Sequence, residues 1–434
     1  MSNLEIGFTG IGVLLVLLIL RVPIGAALGI VSFCGIWAIR NLNAALGAVA
    51  NIPHDFASSW VLSAVPMFLL MGAVSYQMGL TKGLYAAARA WLGRLPGGLA
   101  LASNWACTAF GAASGSSVAT TAAMGKFSVK EMLDLGYSPA LATGSVAAAG
   151  TIAALIPPSI ALVIYGWYAE QPIDQLLIAG ILPGILTALV YSILIITICT
   201  VRPELAPRTR IDMAMPEKLR LLVSVWPLPL LVMGVVGAMW TGMATSTEAA
   251  GVGAALAVLI AMGRRSFSFG AFRIAVTDTL VTMASLFFVV IGAVLFTRFL
   301  AVSGVPNYAA TVLAELDSQA LVLIAMIIIF VVLGMFLDPI GVMLLTLPIL
   351  LPVCRELDMN LLWVGILVVK LVEVGMLTPP VGFHCFVMKS VAGDSVKIGD
   401  IFRGASWFLL AEIAVIAILI FFPQISLFLP STME

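Results

Sequence analysis

The sequence has little charge and almost no histidine. Of its 434 residues, 10% are Asp, Glu, Lys or Arg, two are His, and the formal net charge is zero. A water-soluble domain with so few charged residues could not cover its own surface with polar groups. No basic tract occurs, so nothing in the sequence indicates nucleic-acid binding.

Cysteine is scarce as well. Cys34, Cys107, Cys199, Cys354 and Cys385 are widely scattered and lack the spacing of metal ligands or disulfides. We therefore interpret all five as small apolar residues. A cleavable signal peptide is not evident either, because no small-residue cleavage site follows the first apolar run, which we predict to be a retained helix.

Apolar residues dominate the sequence, at 62% of the chain. Many apolar runs exceed the roughly 20 residues that a helix needs to cross a bilayer, and none shows the alternation of a membrane barrel strand. The sequence therefore predicts an all-α polytopic membrane protein. We place full crossings near residues 7–39, 57–79, 138–169, 176–199, 222–242, 245–263, 274–299, 361–388 and 405–423. The first is ambiguous, because Arg21-Val-Pro23 fits either a kink in one long helix or a turn between two short ones.

Two further apolar regions, 96–125 and 319–353, are interrupted in the middle. The first contains GAASGSSVATTAAMG, which is too rich in small and hydroxyl residues for an ordinary crossing, and the second contains Asp338-Pro339. Each region is long enough for two half-crossings. We predict two re-entrant helical hairpins, at about 96–136 and 319–356.

Lysine and arginine are unevenly distributed between the loops if each hairpin returns to the side that it entered from. Arg40, Arg298 and Arg355 fall on one side, and nearly all the others fall on the opposite side. By the positive-inside rule the richer side is cytoplasmic. The first hairpin then enters from the cytoplasm, the second enters from outside, and the C-terminus is periplasmic. The N-terminal orientation depends on the ambiguous first crossing.

An internal repeat supports this arrangement. The segment FLLMGAV at 68–74 recurs as FVVIGAV at 288–294, a shift of 220 positions, and Pro157-Pro158 recurs as Pro379-Pro380, a shift of 222. Each proline pair also follows its hairpin tip by the same forty positions. An odd number of crossings separates the matched segments, so the repeat is inverted, as in many secondary transporters.

The repeat divides the chain into a first half, 1–220, and a second half, 221–434. Two segments of the first half are expected outside the membrane core. Residues 81–94 alternate basic and apolar side chains at helical spacing and are predicted to form an interfacial arm. Residues 202–220 are charged and contain three prolines, so we predict a linker between the halves.

The chemistry is expected where helices are broken, because backbone carbonyls and half-helix ends become free there within the bilayer. Each predicted tip is paired with a proline-broken helix, and glycine, serine and carbonyl groups at such a clamp suit a small hard cation. Sodium is predicted at Ser114, Ser159, Asp338 and Thr378. The full set of candidate ion-binding and substrate-binding residues is Ser114, Gly115, Ser116, Ser117, Thr120, Pro158, Ser159, Gly334, Asp338, Pro339, Thr378, Pro379 and Pro380.

Structural alternatives exist for several of these residues. Asp338 followed by proline is also the ordinary start of a helix. Ser114 and Ser159 fit hydrogen bonds to carbonyls four residues earlier in their own helices, and Thr120 fits helix packing together with Thr121.

Polar residues outside the breaks are given structural interpretations. Glu248 is expected to cap a helix or to pair with a basic residue. Lys370 and Glu373, three positions apart on one helical face, are predicted to neutralise each other. His384 is interpreted as a packed or simply hydrogen-bonded side chain.

Several motifs are similar to those of the large membrane subunit of tripartite ATP-independent periplasmic (TRAP) transporters, in the ion-transporter superfamily. They are PMFLLMG at 66–72, SGSSVATTAAMG at 114–125, GTIAALIPPS at 150–159, TEAAGVGA at 247–254, LGMFLDPIGVMLLTLPILLP at 333–352 and LTPPVGF at 377–383. The resemblance implies sodium-coupled import of an organic acid across the bacterial inner membrane by an elevator motion. It also implies two partners, a periplasmic substrate-binding protein and a small four-helix membrane subunit expected on a separate chain.

Energetics favour two or more sodium ions per substrate. Accumulating an acid 1000-fold costs about 4.1 kcal/mol, and importing its negative charge against 100 mV costs about 2.3 kcal/mol more. One sodium ion moving down a tenfold gradient and 100 mV supplies only about 3.7 kcal/mol.

Two alternatives remain at this point. One is a binding-protein-independent sodium/dicarboxylate carrier of the same superfamily. The other is an intramembrane serine protease that uses Ser114 and His384, although Ala112 stands where such a motif needs glycine. The sequence leaves the transported acid open.

Overall fold

A computed structural model describes residues 1–207, 213–314 and 318–433. Every regular element in these ranges is a helix, as the sequence predicts. Six helices are long and apolar enough to cross a membrane, and a pair bent by 46° makes a seventh if it is counted as one span. The six are Trp60–Gln77, Ile173–Val201, Ser246–Gly263, Phe269–Ser303, Pro339–Glu356 and Ile398–Phe421.

The ambiguous first crossing is two helices. Leu20 to Pro23 separates them, and Arg21 takes a left-handed φ of 62°. A third helix follows that the sequence analysis does not predict, because its exposed and mixed face gives no long apolar run. The chain then enters the first helix that is both long and apolar enough to cross a membrane. These elements are α1 (Asn3–Ile19), α2 (Ile24–Ile39), α3 (Leu42–Ala57) and α4 (Ala64–Gln77).

The first predicted hairpin is a helix, a tight turn and a second helix, with bounds within a few residues of those predicted. The predicted arm is a short helix whose Leu84, Ala87 and Ala90 are buried, and it contacts the first limb of the hairpin. The next crossing is broken at Pro157-Pro158, as predicted. These elements are α5 (Leu84–Leu92), α6 (Gly98–Ser114), α7 (Ser117–Asp134), α8 (Pro139–Thr151) and α9 (Ile160–Ala169).

The middle of the chain corrects one predicted boundary. Residues 208–212 of the predicted linker lie outside the described residues, and a helix with a buried Lys218 begins within its last part. Glu248 forms a capping box with Thr245, which confirms its capping role. The elements are α10 (Ile173–Ala179), α11 (Ile181–Val201), α12 (Met215–Ser224), α13 (Pro227–Trp240), α14 (Ser246–Gly263), α15 (Phe269–Ser303) and α16 (Val305–Ala314).

The last part of the chain has the same element order as α6 to α9. A pair of helices with the predicted hairpin bounds is followed by a long helix, a break at Pro379-Pro380 and a shorter helix. These elements are α17 (Gln319–Gly334), α18 (Pro339–Glu356), α19 (Leu361–Leu377), α20 (Phe383–Ala392), α21 (Ile398–Phe421) and α22 (Gln424–Leu427). The first limb of each helix pair contacts the broken helix that follows it, α6 with α8 and α17 with α19.

The two helix pairs also contact each other's broken helices. The helix after the first break, α9, contacts α18, and the helix after the second break, α20, contacts α7. A further close contact joins α8 to α21, where a β-carbon added to Gly404 would lie 1.9 Å from the carbonyl oxygen of Ala140. The tips and breaks are therefore held in one packed body, in which the candidate site lies.

Candidate functional site

The first tip is a tight turn between α6 and α7. Gly115 ends α6 with φ at +63°, which glycine adopts without strain. Its carbonyl oxygen accepts a hydrogen bond from the N–H of Ile160 at 3.3 Å. A β-carbon added to Gly115 would lie 2.4 Å from the carbonyl oxygen of Pro158. The backbone of the first tip therefore rests directly on the first break.

Serines begin the helices on both sides of this contact. Ser116 is the N-cap of α7, and its Oγ accepts a hydrogen bond from the N–H of Ala119 at 3.3 Å. Ser159 is the N-cap of α9; its Oγ accepts from the N–H of Leu162 at 3.2 Å and donates to the carbonyl of Ala154 at 2.5 Å. The structure thus brings two helix N-termini together at one place.

Ser114 turns toward the other limb of its own hairpin. Its Oγ lies 2.8 Å from Oγ1 of Thr120, both side chains being buried. Neither Ser114 nor Ser159 makes the bond to the carbonyl four residues earlier that the structural alternative predicts. That alternative is wrong, because the helix breaks give both hydroxyls nearer partners.

The second tip confirms the capping interpretation of Asp338. Its Oδ2 accepts a hydrogen bond from the N–H of Gly341 at 3.1 Å, and Pro339 is the first residue of α18. At the second break, Thr378 ends α19 and donates to the carbonyl of Val374 at 2.6 Å. No hydrogen bond joins Asp338 to Thr378 in the described structure.

Gly334, the remaining candidate of the second hairpin, is a packing residue. A β-carbon added to it would lie 3.0 Å from the Cα of Gly375 in α19. The backbones of α17 and α19 therefore touch just below the second tip and the second break. This backbone contact, and not a polar bond, holds the second hairpin against the helix that leads to the second break.

The two breaks differ in exposure. Pro157, Pro158 and Ser159 are buried, whereas Pro379 and Pro380 are exposed, although both proline pairs have a cis peptide bond. At the second tip, the side chain of Phe336 is 59% exposed. The first break is therefore buried in this structure and the second break is exposed.

A largely apolar cavity of about 350 Å³ with several polar side chains in its wall lies beside the first tip, between the first hairpin, α4 and α15. Ser114 and Ser116 line it, so the tip faces a space large enough for a small organic molecule. The other polar residues that line it are Tyr76, Gln77, Lys126, Asp278, Thr279 and Thr282.

The cavity carries both signs of charge. Lys126 contributes an ammonium group, and the Oδ2 of Asp278 accepts a hydrogen bond from Nε2 of Gln77 at 3.2 Å. The sequence analysis missed Gln77 and Asp278. The detectable signal was the charge of Asp278 within an otherwise apolar run, but only the fold shows that α4 and α15 approach the first tip.

A buried set of four side chains, which we name the polar bridge, connects the first hairpin to the second broken helix. Ser117 Oγ donates to Glu373 Oε1 at 2.8 Å. His384 Nε2 lies 3.0 Å from Glu373 Oε2, and its Nδ1 lies 3.0 Å from Thr121 Oγ1. All four side chains are at most 4% exposed.

The polar bridge overturns the predicted pairing of Lys370 with Glu373. Lys370 Nζ instead lies 2.7 Å from Oε1 of Glu412 in α21, and that carboxylate also accepts from the hydroxyl of Tyr191 in α11. Residues three positions apart share a helix face, but Lys370 and Glu373 each bind a side chain on another helix instead. His384 is hydrogen-bonded on both ring nitrogens, which confirms the hydrogen-bonded interpretation rather than packing alone.

Among the described residues, no group of three or more His, Cys, Asp or Glu side chains could hold a metal ion. The oxygens available at the tips are hydroxyls, carbonyls and the single carboxylate of Asp338. Hard cations such as sodium prefer oxygen ligands of this kind.

Comparison with known proteins identifies the family. Residues 11–425 match the family described as the tripartite ATP-independent periplasmic transporter, DctM component. The chain belongs to the DctM family. DctM proteins are subunits of a membrane transporter and not enzymes. In this member Ser114 and His384 have separate partners, so the geometry gives no protease pair either.

Individual relatives cover most of this DctM chain. It is 33% identical over 384 residues to the C4-dicarboxylate TRAP transporter large permease protein DctM of Pseudomonas aeruginosa, covering 87% of this chain and 88% of the relative. It is 33% identical to the ectoine/5-hydroxyectoine large permease protein UehC of Ruegeria pomeroyi, covering 85% of each. It is 29% identical to the sialic acid permease protein SiaT of Haemophilus influenzae, covering 96% of this chain and 67% of the relative.

A solved structure shares the fold of this DctM chain. The YdaH transporter of Alcanivorax borkumensis superposes with a TM-score of 0.59 at 15% sequence identity, covering 89% of this chain and 91% of that one. The multi-pass helical architecture and the family are therefore established by independent comparisons.

Proposed function

We propose that this DctM chain is the large membrane subunit of a sodium-coupled importer of a small organic acid in the bacterial inner membrane. The observation that carries the proposal is the first clamp. There the turn at Gly115 rests on Pro158, and Ser114 and Ser116 face the cavity that Lys126 also lines. Sodium would bind among the hydroxyls and carbonyls of this clamp, and the acid would occupy the cavity beside it.

Lys126 supplies a reason to favour an acid. An ammonium group at the cavity attracts a carboxylate. The hydroxyls of Thr279 and Thr282 donate to carbonyls of their own helix, so Lys126 is the group that favours an acid. Relatives are named for C4-dicarboxylates and sialic acid. We therefore propose a carboxylate substrate. The binding protein that presents it would select among carboxylates with different carbon skeletons.

The inverted repeat and the elevator motion belong to the same proposal. The order of α6 to α9 recurs in α17 to α20, with both breaks at matched proline pairs, which supports two structurally equivalent halves. We propose that the hairpins and the broken helices move together against the remaining helices. The first hairpin enters from the cytoplasm, the second enters from the periplasm, and the C-terminus is periplasmic.

The partners follow from the family. A tripartite transporter needs two further components besides DctM. We propose that these are a small four-helix membrane subunit on a separate chain and a periplasmic binding protein that delivers the acid. A carrier that works without a binding protein is the competing possibility, and the match to a DctM large permease over 87% of the chain argues against it.

The test is uptake into liposomes that contain this chain with its small membrane subunit, supplied with the binding protein and a radiolabelled acid that it retains. We expect uptake only with an inward sodium gradient. Uptake that is unchanged when sodium is replaced by choline would overturn sodium coupling, and full uptake without the binding protein would favour the simple carrier.

Asp338→Asn tests the second clamp. Asparagine caps a helix as well as aspartate does, so the fold should be retained while the negative charge beside the cation is lost. We expect loss of sodium-dependent uptake with an unchanged melting temperature. Asp358→Asn is the matched control, because Asp358 is exposed at the opposite end of α18. Equal uptake by both variants would leave Asp338 with the capping role alone.

A further inference from the structure

The polar bridge joins parts of the molecule that are far apart in sequence. Ser117 follows the first tip by two residues, and Thr121 lies one helical turn later on the same face of α7. Glu373 lies on α19 before the second break, and His384 lies on α20 after it. The bridge therefore fastens one hairpin to both sides of the opposite break.

We propose that Glu373 and His384 are positioning residues that lock the first hairpin to the second broken helix, so that the second hairpin is the one that opens and closes. This inference rests on the proposed sodium-coupled function. It goes beyond that function by assigning unequal roles to the two hairpins.

The local packing supports a rigid first hairpin. A β-carbon added to Gly150 in α8 would lie 1.9 Å from Oγ1 of Thr121, so the same face of α7 is also pressed against the first broken helix. Lifting the first tip would take Ser117 away from Glu373 and Thr121 away from His384, which would leave one carboxylate oxygen and one ring nitrogen unpaired in a buried site. Such groups are costly to leave unpaired, so the bridge resists this motion.

The second hairpin lacks the corresponding bridge. A shift of 222 positions, which relates the two proline pairs, places Pro339 and Met343 opposite Ser117 and Thr121. The same shift relates Glu373 to Thr151, and His384 to Leu162. The contact between α18 and α9 exists, but three of these four side chains carry no hydrogen-bond donor.

Exposure shows the same difference. The first tip lies against a buried break, whereas the second break exposes Pro379 and Pro380. The second break is therefore the more exposed of the two in this structure. In the proposed division of roles, the second hairpin would admit and release ions while the first hairpin stays in place.

Hydrogen exchange at the two tips tests the proposal directly. The full chain, with its small membrane subunit in lipid nanodiscs, is compared with and without sodium. In the unmodified protein we expect the amides of residues 115–119 to exchange slowly in both conditions. We expect the amides of residues 337, 338, 340 and 341 to exchange slowly only when sodium is present.

Variants that weaken the polar bridge should make exchange at the first tip depend on sodium as well. Glu373→Ala removes both hydrogen bonds, and we expect exchange at residues 115–119 to accelerate about tenfold or more in the absence of sodium. Glu373→Gln should keep exchange slow, since its amide oxygen accepts from Ser117 and its amide nitrogen can donate to His384 Nε2, which reverses the direction of that hydrogen bond without losing it. Rescue by this conservative variant distinguishes positioning from a need for charge.

Thr121→Val gives a second test with a matched control. Valine keeps the shape of threonine but cannot bond to His384, so residues 115–119 should again exchange faster. Thr346→Val in α18 deletes a buried hydroxyl that bonds only to carbonyls of its own helix, Val342 at 2.8 Å and Met343 at 3.2 Å. We expect no change at the first tip in this control.

The outcomes separate this inference from the proposed function. Slow exchange at residues 115–119 in both Glu373→Ala and Thr121→Val overturns the bridge as a lock. Sodium-independent exchange at the second tip of the unmodified protein overturns the division of roles and counts against sodium binding there. Sodium-dependent uptake by the unmodified transporter establishes the proposed function whichever result the tips give.

Discussion

Gly115 meets two separate constraints. Its φ of +63° disfavours any side chain, and the carbonyl oxygen of Pro158 occupies the space that a β-carbon needs. Gly304 meets only the first constraint, with φ at +80° and nothing within 4 Å. The two glycines therefore allow the conformational cost and the contact cost to be separated.

We expect Gly304→Ala to lower the free energy of unfolding by about 1–2 kcal/mol, which is the cost of the left-handed conformation. Gly115→Ala should lose a further roughly 1–3 kcal/mol through overpacking against the first break. Thermal unfolding of the two purified variants measures the difference. Equal melting temperatures would show that the tip does not press on Pro158.

Side-chain partners were the least predictable feature of the site. Spacing along one helix predicted that Lys370 pairs with Glu373. In the fold, Lys370 pairs with Glu412, and Glu373 is hydrogen-bonded to Ser117 and His384. A helical pattern describes one face of one helix and contains no information on which helix lies opposite. The hydroxyl, glycine and proline residues of the tips were predictable because their effect on the backbone is local.

Helix α21 is fixed to α8 by backbone contact. A β-carbon on Gly144 would lie 2.4 Å from the carbonyl carbon of Gly404, and one on Gly404 would meet the carbonyl of Ala140. Gly399, one turn earlier in α21, has nothing within 4 Å. In α21, packing against α8 therefore requires glycine at Gly404 but not at Gly399.

We expect Gly404→Ala to destabilise the protein by about 1–3 kcal/mol, because the helices must separate to admit the methyl group. Gly399→Ala should be neutral or should stabilise by about 0.5–1 kcal/mol, because alanine is the better helix former. Denaturation followed by helical circular dichroism compares them. A loss of stability by Gly399→Ala as large as that by Gly404→Ala would contradict this packing explanation.

Helices were predictable when they had a long apolar run and when glycine, serine or proline marked their ends. Both helix pairs and both proline breaks were found to within a few residues, because glycine, serine and proline mark them strongly. Helices α3 and α16 were missed, since short helices without a long apolar run resemble loops in a search for crossings. The predicted end of the linker was wrong because the charged residues near Met215, where α12 begins, indicated a loop rather than a helix.

The transporter as a whole should move net charge. Two sodium ions entering with a singly charged acid carry one positive charge inward, which an inside-negative potential of 100 mV favours by about 2.3 kcal/mol. At a fixed sodium gradient, steady accumulation should rise roughly 50-fold between zero and that potential. Proteoliposomes with an imposed potassium diffusion potential provide the measurement. Accumulation independent of potential would indicate one sodium ion per acid.

The polar bridge also bears on the history of the chain. A protein made of two identical inverted halves would have either two such bridges or none. The described part of this chain shows one, with Pro339 and Met343 where a second bridge would need hydroxyl groups. If the halves arose by duplication, their sequences diverged at these positions afterwards, and a chimera built by exchanging the two hairpins would lose this bridge without gaining its counterpart.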